Sequence, residues 1–115
     1  MKVPTDKTTK ALAALHDTTM PLLEAMYREF QDLSKKKPDS AVNKQKIKIV
    51  NRLLDDMRTV LADEKSVQYL DRLEEDDVPQ ASDVTLVLSQ YVAAMKAFHS
   101  RYYGWDNHEH KWFTK

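Results

Sequence analysis

The chain has 115 residues, enough for one compact domain, and its 18 basic and 18 acidic side chains give a formal net charge of zero. It contains no cysteine, which excludes disulfides, cysteine nucleophiles and thiolate-bound metals. No apolar run approaches the roughly 20 residues that a membrane-spanning helix needs, and no signal peptide is recognisable. We therefore expect a cytoplasmic protein that is not embedded in a membrane.

The scarcity of glycine and the spacing of the apolar residues predict an all-α fold. The chain has one glycine, and apolar residues recur every three or four positions, which is the period of an amphipathic helix. No segment alternates apolar and polar residues over the length of a strand, so we expect no paired strands. The prediction is a single helical domain over residues 1–115, a bundle of four or five helices with an aromatic, histidine-rich C-terminal tail at residues 103–115.

Two helices are expected in the first half of the chain. The first begins after a cap at Thr5 or Asp6 and ends at about residue 37. Pro21 lies inside it and predicts either a kink or a division into two helices. The second helix begins after a cap at Asp39 or Ser40 and extends to about residue 62.

The second half of the chain is expected to hold a short helix and a long one. The short helix covers about residues 66–75 and ends in a run of acidic residues before Pro79. The long helix begins near Ser82 and keeps its apolar spacing as far as Tyr102. Gly104 follows closely, so we predict that it adopts a left-handed conformation and closes this helix.

Basic and acidic residues are segregated along the sequence. Positions 35–52 hold seven basic residues and one acid, whereas positions 55–83 hold ten acids and three basic residues. Lys44, Lys48 and Arg52 share one face of the second helix, and this basic face could bind a charged partner or nucleic acid. Charge blocks of opposite sign also favour self-association, so we predict a homo-oligomer, most simply a dimer.

Aromatic side chains concentrate in the last fifth of the chain. Five of the ten aromatic residues lie between positions 102 and 115. We expect Trp105, Trp112 and Phe113 to anchor a protein partner or a second copy, as aromatic side chains often do at interfaces. The alternative is that these three residues cap the open end of their own helical bundle.

An enzymatic alternative uses the same region. Arg101 and His108, with six residues between them, resemble the R-x4-6-H motif of the HEPN family of all-α ribonucleases. The resemblance implies that Arg101 holds the scissile phosphate and that His108 acts as general acid and base. The chain departs from the family pattern at Tyr102, where a polar residue is usual.

A metal-dependent hydrolase is a further alternative. His108 and His110 lie two residues apart, so in an extended segment both imidazoles would point the same way. With His99 or Asp106 they could complete a site of three ligands for a metal ion.

No complete catalytic or cofactor motif is found, and we expect no cofactor. The segregated charges and the aromatic tail favour a small helical protein that acts through protein–protein interaction or regulation. A HEPN-like ribonuclease or a metal-binding hydrolase built on the C-terminal arginine and histidines is the alternative.

Overall fold

The structure, a computed structural model that describes residues 3–115, consists of three long helices and a short hairpin. The helices are α1 (Lys10–Lys36), α2 (Lys44–Val60) and α3 (Ala81–Tyr102), and the strands are β1 (Tyr103–Trp105) and β2 (His110–Trp112). The prediction of a mostly helical protein is confirmed. The predicted number of helices is wrong, since residues 3–115 form three α-helices, and the expected absence of paired strands is wrong because β1 pairs with β2. Residues 1 and 2, which the predicted domain includes, lie outside the described residues.

Helix α1 is continuous, so the alternative of two helices divided at Pro21 is wrong. Thr9 caps α1 by accepting a hydrogen bond from the Leu12 N–H at 3.1 Å, a few residues beyond the predicted cap positions. Pro21 has no N–H to offer to the Asp17 carbonyl. Both residues are exposed, and water can therefore take the place of the missing donor.

Helix α2 begins later than predicted, because Asn43 rather than Asp39 or Ser40 is its cap. The Asn43 side chain accepts a hydrogen bond from the Lys46 N–H at 2.9 Å. The chain before this cap is held by the beginning of α3, whose Ala81 N–H donates to the Ser40 carbonyl at 2.8 Å. The Ser40 carbonyl therefore accepts a hydrogen bond from α3 and does not take part in a first turn of α2.

The predicted helix at residues 66–75 is also wrong. Residues 61–80, here called the 61–80 connection, join α2 to α3 and contain two short 3-10 turns, Lys65–Tyr69 and Glu75–Asp77. The backbone is extended at Leu70 (φ −87°, ψ 129°), which follows the first turn, and at Glu74 (φ −82°, ψ 119°), which precedes the second.

Side chains of α2 and α3 hold the 61–80 connection in this extended form. The buried Asn51 donates from Nδ2 to the Leu73 carbonyl at 2.8 Å and accepts from the Leu73 N–H at 3.2 Å. The Tyr91 hydroxyl donates to the Asp71 carbonyl at 2.9 Å. These backbone groups are satisfied by side chains far away in the sequence, so the segment does not need a helix to satisfy them.

Helix α3 ends at Tyr102, as predicted, but Gly104 does not close it. The chain passes directly into β1 at Tyr103 (φ −119°, ψ 131°), and Gly104 is buried in that strand opposite Lys111. No glycine of the described part of the chain has a positive φ, so the predicted left-handed glycine is wrong. The left-handed residue of this region is Asn107 (φ 82°), in the hairpin turn.

Backbone hydrogen bonds tie the hairpin to the segment before α1. The Phe113 N–H donates to the Tyr102 carbonyl at 2.7 Å. Thr8 lies alongside, donating to the Phe113 carbonyl at 3.0 Å and accepting from the Lys115 N–H at 3.0 Å. The predicted tail is therefore folded back on its own chain.

The core lies where the three helices meet, and α1 packs mainly against α3. Its fully buried side chains include Leu23 of α1, Leu54 of α2 and Met95 of α3. Within the described residues, no helix is both long enough and apolar enough to cross a membrane.

Candidate functional site

A groove with a volume of about 700 Å³ lies between α1 and α2. We call it the α1/α2 groove and define it by twelve lining residues, eight of them apolar and four charged. The apolar residues are Leu22, Ala25, Met26, Phe30, Leu33, Ile49, Val50 and Leu53, and the charged residues are Glu29, Lys46, Arg52 and Asp56.

Two apolar side chains of the groove remain open to solvent. Leu22 is 57% exposed and Ile49 is 41% exposed, whereas the next residue of each helix, Leu23 or Val50, is buried. Neighbouring residues of a helix point about 100° apart, so one of each pair enters the core while the other projects outward. Apolar side chains exposed on both helices that form a groove are typical of a surface that receives another apolar element.

The charged residues of the groove carry both signs and are exposed. Glu29 lies on α1, and Lys46, Arg52 and Asp56 lie on α2. Within residues 3–115 none of the four takes part in an ion pair. The groove therefore offers apolar surface beside two cations and two anions that are free to pair with a partner.

The predicted basic face on α2 is partly neutralised within the molecule. Lys44, Lys48 and Arg52 are all exposed, but the Lys44 Nζ pairs with Asp76 of the 61–80 connection at 3.2 Å. Arg52 belongs to the α1/α2 groove. The acidic part of the chain thus folds back beside the basic part, and the role of the basic face in binding stays a prediction.

Trp112, one of the three predicted anchors, makes its contacts within the chain. Its Nε1–H donates to the Asp17 carboxylate at 2.9 Å. Its ring centroid lies 5.1 Å from that of His16, 5.1 Å from that of His99 and 5.9 Å from that of Phe98. These contacts favour the alternative in which the tail caps its own helices.

Trp105 and Phe113 also belong to the hairpin region. The Trp105 ring lies 5.2 Å, centroid to centroid, from the ring of His110, its partner across the two strands, and the two ring planes are inclined at 60°. Phe113 binds Tyr102 and Thr8 through its backbone. Both side chains are partly buried, and their role as anchors for a partner stays a prediction.

The residues of the HEPN-like alternative lie on different elements. Arg101, near the end of α3, donates hydrogen bonds to the carboxylates of Asp6 and Glu64, each at 3.0 Å. The neighbouring Tyr102 donates to the same Glu64 carboxylate at 2.8 Å, and burial together with this bond raises the pKa of Tyr102 to about 12. His108 is exposed in the hairpin turn, beyond the end of α3. One helix therefore does not carry both Arg101 and His108.

The four ligands of the metal-binding alternative are not brought together. Asp106 accepts hydrogen bonds from the backbone N–H groups of Glu109 and His108, both at 2.8 Å, and these bonds lower its pKa to about 2. The His110 ring lies beside the Trp105 ring, with the centroids 5.2 Å apart. Among residues 3–115 no three histidine, aspartate or glutamate side chains converge as metal ligands.

The structure buries a histidine to which the sequence analysis gives no role. His16 is 3% exposed, and its Nε2 lies 3.0 Å from the Met95 carbonyl oxygen. A carbonyl can only accept, so the hydrogen of this bond is on Nε2. Nδ1 has no hydrogen-bond partner in the described structure, and Asp17 Oδ1 is 3.5 Å away. The one feature of the sequence that could have indicated a buried His16 is its position beside the apolar residues of the first helix.

His16 lines a second concavity, with a volume of about 550 Å³, together with His99 and Lys96. The imidazole centroids of His16 and His99 are 5.7 Å apart. Burial and the neighbouring His16 lower the pKa of His99, while the Asp17 carboxylate opposes this with a smaller effect.

The lowered pKa of His99 predicts a loss of stability in mild acid. Below about pH 6.5 the unfolded chain binds a proton at His99 that the folded protein resists, so the free energy of unfolding falls as the pH falls through this value. We expect His99→Gln to make the difference in unfolding free energy between pH 7.5 and 5.0 smaller. His108→Asn, which changes an exposed histidine, serves as the control. If the unfolding free energy of the His99 variant depended on pH as strongly as that of the wild type, His99 would not be the cause of the loss of stability in mild acid.

Comparison of the chain with models of protein families, with curated proteins and with solved structures finds no match. The fold and the groove define a small, mostly helical protein with an unpartnered apolar face between two helices. Of the two concavities, the α1/α2 groove has the more apolar lining and is the one with strongly exposed apolar side chains.

Proposed function

We propose that this chain is a protein–protein interaction protein, and that the α1/α2 groove binds an apolar helical surface of its partner. The observation that carries the proposal is the exposure of Leu22 and Ile49 on opposite sides of the groove. Burial of apolar surface contributes about 25 cal/mol per Å² removed from water. Two such side chains and the apolar lining below them therefore favour a bound state.

The shape and the charges of the groove support a helical partner. In helix-in-groove recognition the bound helix lays apolar side chains at spacings of three and four into an apolar groove. Here α1 and α2 form the two sides of such a groove. The four unpaired charges of the groove would select the orientation of the partner, because like charges brought together are penalised.

A titration with a synthetic amphipathic helix tests the proposal directly. The probe is a peptide of leucine, lysine and glutamate with all leucines on one face, added to methyl-labelled protein and followed by NMR. We expect chemical-shift changes at the methyl groups of Leu22, Met26, Ile49 and Leu53. Ile49→Glu should abolish them, because it places a carboxylate in the apolar lining.

Leu86 provides a matched control, since it is 64% exposed on α3 and lies outside the groove. Leu86→Glu should leave the titration unchanged. Equal shifts at Leu86 and at the groove methyl groups would indicate nonspecific apolar binding. That result, or the absence of any shift at the groove of a sample that is monomeric, would overturn the proposed function.

A further inference from the structure

The residues that α2 contributes to the groove are arranged symmetrically about position 51. Ile49 and Leu53 lie two places on either side of it, and Val50 and Arg52 one place on either side. Lys46 and Asp56 lie five places on either side, and they carry opposite charges. In an antiparallel pair of identical helices, residues at equal distances on either side of the midpoint face each other. Positions three and four apart on any helix face are symmetric in this way, so the spacing allows a second copy of the same helix running in the opposite direction, and the charges decide whether it fits.

We propose that the partner in the α1/α2 groove is the same groove of a second copy of this chain, related by a two-fold axis. This proposal rests on the proposed function, because it names the occupant of the same surface. The axis lies in the interface, perpendicular to the helices and level with position 51 of α2. Each helix then packs antiparallel to its own counterpart, and two layers of two helices form a four-helix arrangement.

Charge complementarity is the main reason to choose a second copy. The two-fold axis places Lys46 of one copy opposite Asp56 of the other, and it does so twice in each dimer. The same two residues are ten positions apart within a helix, or about 15 Å at 1.5 Å per residue, so they do not pair within one chain. The dimer would give both residues the ion pair that neither has in the described structure.

The lining of α1 fits the same symmetry. Its groove residues are symmetric about the point midway between Tyr27 and Arg28. Leu22 would face Leu33 of the second copy, and the small Ala25 would face the large Phe30. Large side chains opposite small ones allow two helical layers to interdigitate. The exposed Leu22 would be covered in this way.

Reversing one charge of the Lys46 and Asp56 pair provides the test. Sedimentation velocity of the wild-type chain over a range of concentrations should show a dimer. Lys46→Glu places carboxylates opposite each other, and Asp56→Lys places ammonium groups opposite each other. We expect each single variant to weaken dimerisation by about tenfold. An equimolar mixture of the two should recover dimers, because each contact then joins opposite charges.

The mixture separates this proposal from general effects on the fold. A destabilised helix would weaken association in both variants, but mixing would not restore it. A chain that stays monomeric at every concentration, or variants that do not recover on mixing, would overturn the dimer. If the helical peptide still shifts the groove methyl groups in such a monomer, the interaction function stands and the second copy is not the partner. If the peptide also fails to bind, both proposals fall.

Discussion

Asn51→Ala is expected to lower the free energy of unfolding by about 2–4 kcal/mol. The substitution leaves two buried polar groups, the N–H and the carbonyl of Leu73, without a hydrogen-bond partner, and each unsatisfied group costs about 1–3 kcal/mol. The Asn51 side chain is the partner of both the N–H and the carbonyl of Leu73. Asn51 is 1% exposed and Leu73 is 5% exposed, so water cannot replace the lost bonds without opening the structure. The 61–80 connection should therefore loosen along its middle.

The effect can be measured by guanidinium unfolding at one protein concentration, followed by far-UV circular dichroism. Gln45→Ala is the matched control, because Gln45 is an exposed residue of the same helix, and we expect it to change the unfolding free energy by less than about 0.5 kcal/mol. Hydrogen exchange at the Leu73 amide should be faster in the Asn51 variant than in the control. A loss of less than about 1 kcal/mol would show that Asn51 does not hold the connection.

Trp112→Ala is the second change with a large expected effect. Trp112 packs against His16, His99 and Phe98, and its indole N–H binds the Asp17 carboxylate. Truncation of a tryptophan in a core costs about 3–5 kcal/mol, and because Trp112 is only partly buried we expect about 2–4 kcal/mol. The loss should appear as a lower midpoint of guanidinium unfolding.

Trp105→Ala is the control for this variant, because the Trp105 ring contacts His110 within the hairpin and lies outside the core cluster. We expect Trp105→Ala to lower the unfolding free energy by less than Trp112→Ala does. The sequence-based interpretation of Trp112 as an interface anchor predicts a different result. In that case Trp112→Ala would weaken self-association in sedimentation experiments while the unfolding free energy of the isolated chain stayed the same.

The helical part of the fold follows from local sequence. Apolar residues at spacings of three and four, together with one glycine in 115 residues, predict the helices that became α1, α2 and α3. The end of α3 at Tyr102 was also predicted correctly. Local sequence does not fix where the helices begin, because Thr9 and Asn43 are each one of several nearby polar residues that can cap a helix.

The 61–80 connection shows why a periodic pattern can mislead. Val67, Leu70 and Leu73 have helical spacing, yet the bonds from Asn51 to Leu73 override it. The partners are 22 residues apart in the sequence, and no local propensity reports such a contact. The C-terminal hairpin was missed for a similar reason, since β1 and β2 are only three residues long and too short for an alternating pattern.

The candidate site was predicted only in part. Leu22, Met26 and Phe30 have the spacing of an apolar helix face, and the sequence alone does not distinguish a face that enters the core from one that lines a groove. The structure shows that Leu23 fills the core and that Leu22 is left exposed beside the groove. The aromatic residues that were expected to reach a partner include Trp112, whose neighbours are residues of its own chain.

By itself the sequence determined the helical class, the approximate extents of the three long helices and the separation of basic from acidic residues, because each of these depends on neighbours within a few positions. Tertiary structure decided the path of the 61–80 connection, the inward packing of Trp112 and the apolar surface left open between α1 and α2. Each depends on which distant segments meet in space. The backbone groups of Leu73 bond to the side chain of Asn51, and Leu22 stays exposed because it lines the groove between α1 and α2, whereas Leu23 enters the core.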